Sequence, residues 1–271
     1  MADSHFGSLV LDDTSGSGQA IVMLHGLGGT SNSFEPLMPG LEDCRVVRPD
    51  LPGAGRSALR PGLSTIPELA RSVTNALTAI NVRRAIIVAH SMGTLLAQHM
   101  AISAPHRVDG LLLFGALTEP PMTARQALQA RARSAIQDGM GDIASAVAAG
   151  GLSSTTQSEN PAVYAFVRES LMRQNPAGYA AHCNILAASN AYPGRKIKVP
   201  VHLVTGSDDK VAPRAMAEEL NTVLPFSRLE ILSGVGHWPV LEAPVASRRA
   251  MRDALDAFSN PDVIERNVTD G

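Results

Sequence analysis

The chain has 271 residues, 45% of them hydrophobic and 18% charged, and its 23 Lys and Arg against 25 Asp and Glu leave a formal net charge of −2. A single core at this length buries roughly three quarters of the surface that the unfolded chain exposes, so neither a disulfide framework nor a structural metal is needed. The balanced, scattered charge excludes the electrostatic footprint of a nucleic-acid binder, and no apolar run approaches the ~18 residues of a membrane span.

The opening residues, Met1-Ala2-Asp3-Ser4-His5-Phe6, lack the basic and then apolar pattern of a secretory signal. A cytoplasmic protein is expected, with no membrane or nucleic-acid partner. Cys44 and Cys183 lie far apart and follow no metal-ligand spacing, which fits two free thiols in a reducing compartment. No metal and no cofactor is predicted.

The first buried strand is predicted at Ala20–Leu24, and the loop His25-Gly26-Leu27-Gly28-Gly29 follows it. Its glycines could cradle a phosphate, but the Lys and Ser or Thr of a P-loop do not follow. His25 is read as a brace for this loop. A second strand, Arg45–Val47, leads into Asp50-Leu51-Pro52-Gly53-Ala54-Gly55-Arg56-Ser57, read as turn architecture. Residues 66–80 place Leu69, Val73, Ala76, Leu77 and Ile80 at helical spacing. Further strands are predicted at Ala85–Ala89, Gly110–Phe114 and Val201–Thr205, the last after the basic run-up Arg195, Lys196 and Lys198. None alternates polar with apolar, so each is expected to be buried on both faces. That pattern implies an α/β fold, a mostly parallel central sheet flanked by helices. The flanking helices include Met92–Ala101, Ala215–Leu224 and Pro244–Phe258.

Between residues 118 and 194 the alternation stops. Only helical stretches rich in alanine remain, at Ala124–Gln137, Asp142–Ala149, Pro161–Met172 and Ala177–Ala188. The expected organisation is a core domain in two parts, residues 1–117 and 196–271, interrupted by a helical cap at 118–195. Such an insertion can exclude water from an active site; the plainer alternative is a second helical layer with no gating role. The polar tail from Asn260 is expected to fray.

Ile86 to Ala97 reads as a buried strand, a tight turn at His90-Ser91-Met92-Gly93, then a helix. This matches the nucleophile elbow, usually G-x-S-x-G, with Ala89 in place of the first glycine. Ser91 would meet the helix N-terminus, where free N–H groups favour negative charge; the competing reading makes it a simple helix cap. A serine nucleophile needs a base. His237 sits in the Gly-flanked loop Gly234-Val235-Gly236-His237-Trp238 before the last helix. The acid should leave the C-terminal end of a parallel strand. Asp209 in Gly206-Ser207-Asp208-Asp209 is favoured over its neighbour Asp208, with Glu119 a third candidate. Oxyanion donors are expected at the N–H of Met92, directly after the nucleophile, and of Leu27 in the glycine-rich loop.

Taken together, these residues resemble the α/β-hydrolase superfamily across nearly the whole chain: His25-Gly26, Asp50-Leu51-Pro52-Gly53, Ser91, Asp209 and Gly236-His237-Trp238. The resemblance implies the α/β-hydrolase fold and the chain order nucleophile, acid, base. Ser91 separates the chain from the dehalogenases and epoxide hydrolases of the superfamily, which use an aspartate nucleophile. Among serine members the chain is similar to the esterase and lactonase group that includes 3-oxoadipate enol-lactonases, in part through Asn175-Pro176-Ala177-Gly178-Tyr179-Ala180-Ala181-His182-Cys183. Carbon–carbon bond hydrolases of ring-cleavage pathways also carry a tryptophan after the histidine, as at Trp238. The resemblance therefore implies hydrolysis of a small-molecule ester or lactone through an acyl-enzyme. Its alternatives are C–C bond hydrolysis and a small-molecule receptor on the same fold. An anionic substrate would need a basic partner, with Arg125, Arg131, Arg133, Arg168 and Arg173 as candidates. Assembly into a homo-oligomer is left open.

Overall fold

The computed structural model describes residues 2–6 and 9–259. The tail from Asn260 lies outside the described residues. Among the described residues eight strands form one sheet: β1 (Ala2–Phe6), β2 (Leu9–Asp13), β3 (Ala20–Leu24), β4 (Arg45–Pro49), β5 (Ala85–His90), β6 (Val108–Phe114), β7 (Val201–Gly206) and β8 (Ser227–Leu232). Their spatial order is β1-β2-β4-β3-β5-β6-β7-β8. The pairs β1/β2 and β2/β4 are antiparallel and the others parallel.

The continuous apolar runs are buried on both faces. On one face Val22, Leu24, Ile87, Ala89, Leu111 and Leu113 meet α1 (Ile66–Ala79) and α2 (Met92–Ser103). On the other, Ile21, Met23, Ile86, Val88, Leu112 and Phe114 meet Phe34 and the Ala250, Met251 and Ala254 face of α10 (Pro244–Ser259). The period of two along each strand sends successive side chains to opposite layers. Helix α1 begins with a Thr65 cap that accepts from the Glu68 N–H, and Pro67 stands in its first turn, where no N–H is needed. Helix α8 (Arg214–Val223) covers β7 and β8.

Between β6 and β7 the described residues form only helices and short turns: α3 (Met122–Asp138), α4 (Gly141–Gly151), α5 (Ser154–Glu159), α6 (Pro161–Met172) and α7 (Pro176–Ala187). A four-residue helix, α9 (Pro239–Glu242), precedes α10. No helix among the described residues is long and apolar enough to cross a membrane.

The topology determines where chemistry can assemble. Strand β3 lies between β4 and β5, so the chain leaves β3 to one side and returns to the other. Such a reversal opens a crevice at the carboxyl ends of the strands. The register pairs Leu24 with Ala89, which sets the loop after β3 against the turn after β5. Pairings His90 with Phe114 and Gly206 with Leu232 carry that edge on across the sheet.

Candidate active site

Three loops at this edge bring Ser91, Asp209 and His237 together. Ser91 Oγ donates to His237 Nε2 at 2.9 Å, and His237 Nδ1 donates to Asp209 Oδ2 at 2.8 Å. An ionised carboxylate can only accept, so Nδ1 carries the proton and Nε2 keeps its lone pair for the serine. Ser91 and His237 are 146 positions apart in sequence and meet through the sheet alone.

Ser91 occupies the sharp strand-to-helix turn with φ 52° and ψ −122°, and its side chain makes no capping hydrogen bond to α2. The serine thus serves the histidine and not the helix. A positive φ at a residue with a Cβ stores strain on the order of 1–3 kcal/mol, which the surrounding packing must hold. Two close approaches show how. A Cβ on Gly93 would lie 2.2 Å from the Leu24 carbonyl oxygen, and one on Gly26 would lie 2.8 Å from Ser91 Cβ. The end of β3 therefore presses directly onto the elbow. Neither the Leu27 nor the Met92 N–H donates to a protein acceptor among the described residues. Both flank Ser91, Met92 by sequence and Leu27 through the Gly26 contact.

Asp209 is 5% exposed, and its Oδ1 accepts from the N–H groups of Val211 and Ala212, at 2.8 Å each. Burial pushes its carboxyl upward. The His237 ring and these N–H groups outweigh burial and leave the pKa below the ordinary aspartate value. Asp208 is exposed and bonded by the Ser207 hydroxyl, and Glu119 pairs with Arg125. The structure brings neither to His237.

His90 is a neighbour that sequence reasoning passed over. Its Nε2 donates to the His237 carbonyl oxygen at 2.7 Å, and the two rings lie 4.8 Å apart. Burial pushes its pKa down to about 3, and the adjacent His237 adds to the effect, so the ring stays neutral. The Trp238 indole stands edge-on to His237 at 5.4 Å. His25 donates from Nδ1 to the Gly26 carbonyl and accepts the Leu51 N–H at Nε2. It ties the loop after β3 to the Asp50–Ser57 turn. There Asp50 accepts from the Ser31 and Arg56 N–H groups, while the Ser57 hydroxyl donates to the Asp50 carbonyl.

A cavity of about 340 Å³ opens over Ser91 and His237. Leu27 lines it from the core, and Ala124, Leu128, Arg131, Val147 and Tyr179 line it from the inserted helices. Sequence reasoning left the five arginines unranked. Of these only Arg131 reaches the cavity wall. The helices are tied to the core at defined points: His182 Nε2 donates to the Pro52 carbonyl at 2.9 Å, and Gln174 donates to the Gly28 carbonyl at 3.2 Å.

A family model described as the alpha/beta hydrolase fold matches residues 19–244. The 3-oxoadipate enol-lactonase 2 of Acinetobacter baylyi is 26% identical over 242 residues, which cover 89% of this chain and 90% of that protein. A thermophilic esterase from Thermogutta terrifontis superposes with a TM-score of 0.88 at 24% identity, covering 93% of this chain and 94% of that one. The enol-lactonase from Burkholderia xenovorans gives 0.87 at 24% identity, over 94% of this chain and 100% of its own. With the sheet order, the elbow and the family match in agreement, the chain belongs to the α/β-hydrolase fold family.

Proposed function

We propose that this protein is a serine hydrolase that cleaves a carboxylic ester or lactone of a small molecule through an acyl-enzyme, with α3 to α7 as its cap. The observation that carries the reading is the hydrogen-bonded row Ser91–His237–Asp209 at the base of a cavity, with two unpartnered N–H groups beside the serine. The enol-lactonase and esterase relatives support the same chemistry.

In this mechanism Ser91 Oγ attacks the carbonyl carbon as its proton passes to His237 Nε2. The carbonyl oxygen becomes an oxyanion held by the Leu27 and Met92 N–H groups, each donor of this kind contributing ~2.7–4 kcal/mol to the transition state. Collapse expels the alkoxide, which takes the proton from His237. Water then attacks the acyl-Ser91 ester and gives its proton to His237, which passes it to Ser91 Oγ as the second intermediate collapses and the acid leaves. In a lactone the alkoxide stays attached to the acyl group, and one hydroxy acid leaves. Asp209 keeps the imidazole in the required tautomer throughout.

The test is hydrolysis of a short-chain p-nitrophenyl ester by the wild type and by Ser91→Ala. Steady turnover that collapses in a folded S91A variant supports the reading. Equal rates in both remove Ser91 from the reaction and overturn it.

A further inference from the structure

Helix α3 turns Ala124, Ala127, Leu128 and Arg131 toward the cavity. Positions spaced by three, four and seven share one helical face, so an arginine closes an otherwise apolar stripe. Arg131 is half-buried, and no carboxylate pairs with it among the described residues. The other arginines of the inserted helices are committed or turned away. Arg125 is held by Glu119 and by the carbonyls of Ala187 and Ser189. Arg168 bonds the Ser145 hydroxyl, Arg173 pairs with Glu169, and Arg133 is exposed.

Two further observations point the same way. Tyr179 lines the same cavity and is 2% exposed, and its hydroxyl lies beside the Arg131 guanidinium and the Cys183 thiol without a well-formed hydrogen bond to either. The charged residues of the cavity wall are Arg131 and, at the exposed rim, Lys210, with no carboxylate between them. A guanidinium drawn out of water without a counter-ion is costly to keep. That cost is offset when a ligand brings the anion, and the planar fork of arginine matches a carboxylate in two hydrogen bonds.

We propose that Arg131, with the Tyr179 hydroxyl beside it, is a subsite for a carboxylate carried by the substrate, so that the preferred substrates are half-esters or lactones of dicarboxylic acids. The assignment rests on the serine-hydrolase reading of Ser91 and deepens it. One guanidinium and one phenol match a single negative charge. The rest of the wall is mainly Ala, Leu, Val, Pro and Met, which suits a short aliphatic spacer.

The test pairs substrates that differ only in that charge: the monomethyl and dimethyl esters of succinate, glutarate and adipate, followed by acid release. The wild type should favour one of the half-esters over its dimethyl counterpart. Arg131→Met should lower kcat/KM for that half-ester by about 10- to 100-fold, mainly through KM, the range for a lost hydrogen bond to a charged group. Any loss on the dimethyl ester should be at least about ten-fold smaller, circular dichroism should show an intact fold, and Arg131→Lys should recover part of the loss. Equal losses on both esters, or a wild type that prefers the uncharged ester, would overturn the subsite. If the wild type hydrolyses neither these esters nor the p-nitrophenyl ester, the hydrolase reading fails by itself. Calorimetric binding of glutarate and adipate then decides the subsite: weakening in R131M supports it, and binding that is absent or unchanged overturns it.

Discussion

The backbone N–H of His237 donates to the carbonyl oxygen of Gly151 at 2.8 Å. The loop that carries the imidazole is thereby bonded to the end of α4, and Glu242 reinforces the junction. Its carboxylate accepts from the N–H groups of Ser153, Gly236 and Trp238 and from the Thr156 hydroxyl. Histidine loop and inserted helices are thus one hydrogen-bonded unit.

Removing that carboxylate should loosen both halves. Glu242→Ala leaves three N–H groups and a hydroxyl without their acceptor, and a loss of roughly 2–3 kcal/mol of stability is expected. Ester turnover should fall through kcat more than KM, because His237 loses its placement and the cavity wall is retained. Urea unfolding and steady-state kinetics on one preparation check this; a stable variant with unchanged kcat would show the junction to be ornamental to the site.

Asp209→Asn probes the tautomer. The amide nitrogen donates where Oδ2 now accepts, so the stable ring form carries its proton on Nε2 and cannot take one from Ser91. A fall in kcat of about 10⁴-fold is expected. The amide oxygen can still accept from Val211 and Ala212, so the melting temperature should change little.

The strained elbow predicts a split between two inactive variants. Ser91→Ala keeps a Cβ at φ 52°, whereas Ser91→Gly removes it. Relief of ~1–3 kcal/mol of backbone strain is partly offset by the ~0.5–1 kcal/mol that glycine costs through unfolded-state entropy. S91G should therefore unfold at a higher urea concentration than S91A, by about 1 kcal/mol. The opposite order would mean that the turn is relaxed.

Buried histidines, among them His25, His90 and His182, predict an acid-labile fold. Burial lowers His25, His90 and His182, the last two to about 3 and about 4, and each ring holds a backbone carbonyl in its neutral form. A histidine with a depressed folded-state pKa gives its full stabilisation above the unfolded value near 6.5. Below that the unfolded chain takes up protons that the folded one refuses, so stability falls as pH drops from about 6.5 toward 4. The slope is on the order of 1.4 kcal/mol per pH unit for each ring at the steepest part. Urea midpoints at pH 7, 6 and 5 with a constant m-value measure it, and a flat profile would contradict the buried neutral rings.

What the sequence made legible follows from burial. β3, β5, β6 and β7 are covered on both faces, so they read as unbroken apolar runs, and the elbow stood out between β5 and α2. The edge was harder. β2 ends in Asp12 and Asp13, which look like surface residues but are buried by ion pairs with Arg45, Arg48 and Arg56. β8 alternates Arg, Leu, Glu and Ile because it is half-buried. α5, Ser-Thr-Thr-Gln-Ser-Glu, has no apolar stripe to announce a helix. Arg131 left a trace in its spacing from Ala124, Ala127 and Leu128. To rank it, however, one must know which carboxylates and carbonyls the neighbouring arginines have taken, and that is a property of three-dimensional contacts.

The separation of 146 positions between Ser91 and His237 also sets a schedule for the growing chain. A polypeptide leaves the ribosome from its N-terminus, so the elbow emerges well before the acid and the base. Under the proposed mechanism, the serine has no proton acceptor until β7 and β8 have added to the sheet edge. In that reading only the completed sheet switches the site on, so ester hydrolysis would report that the last quarter of the molecule has docked.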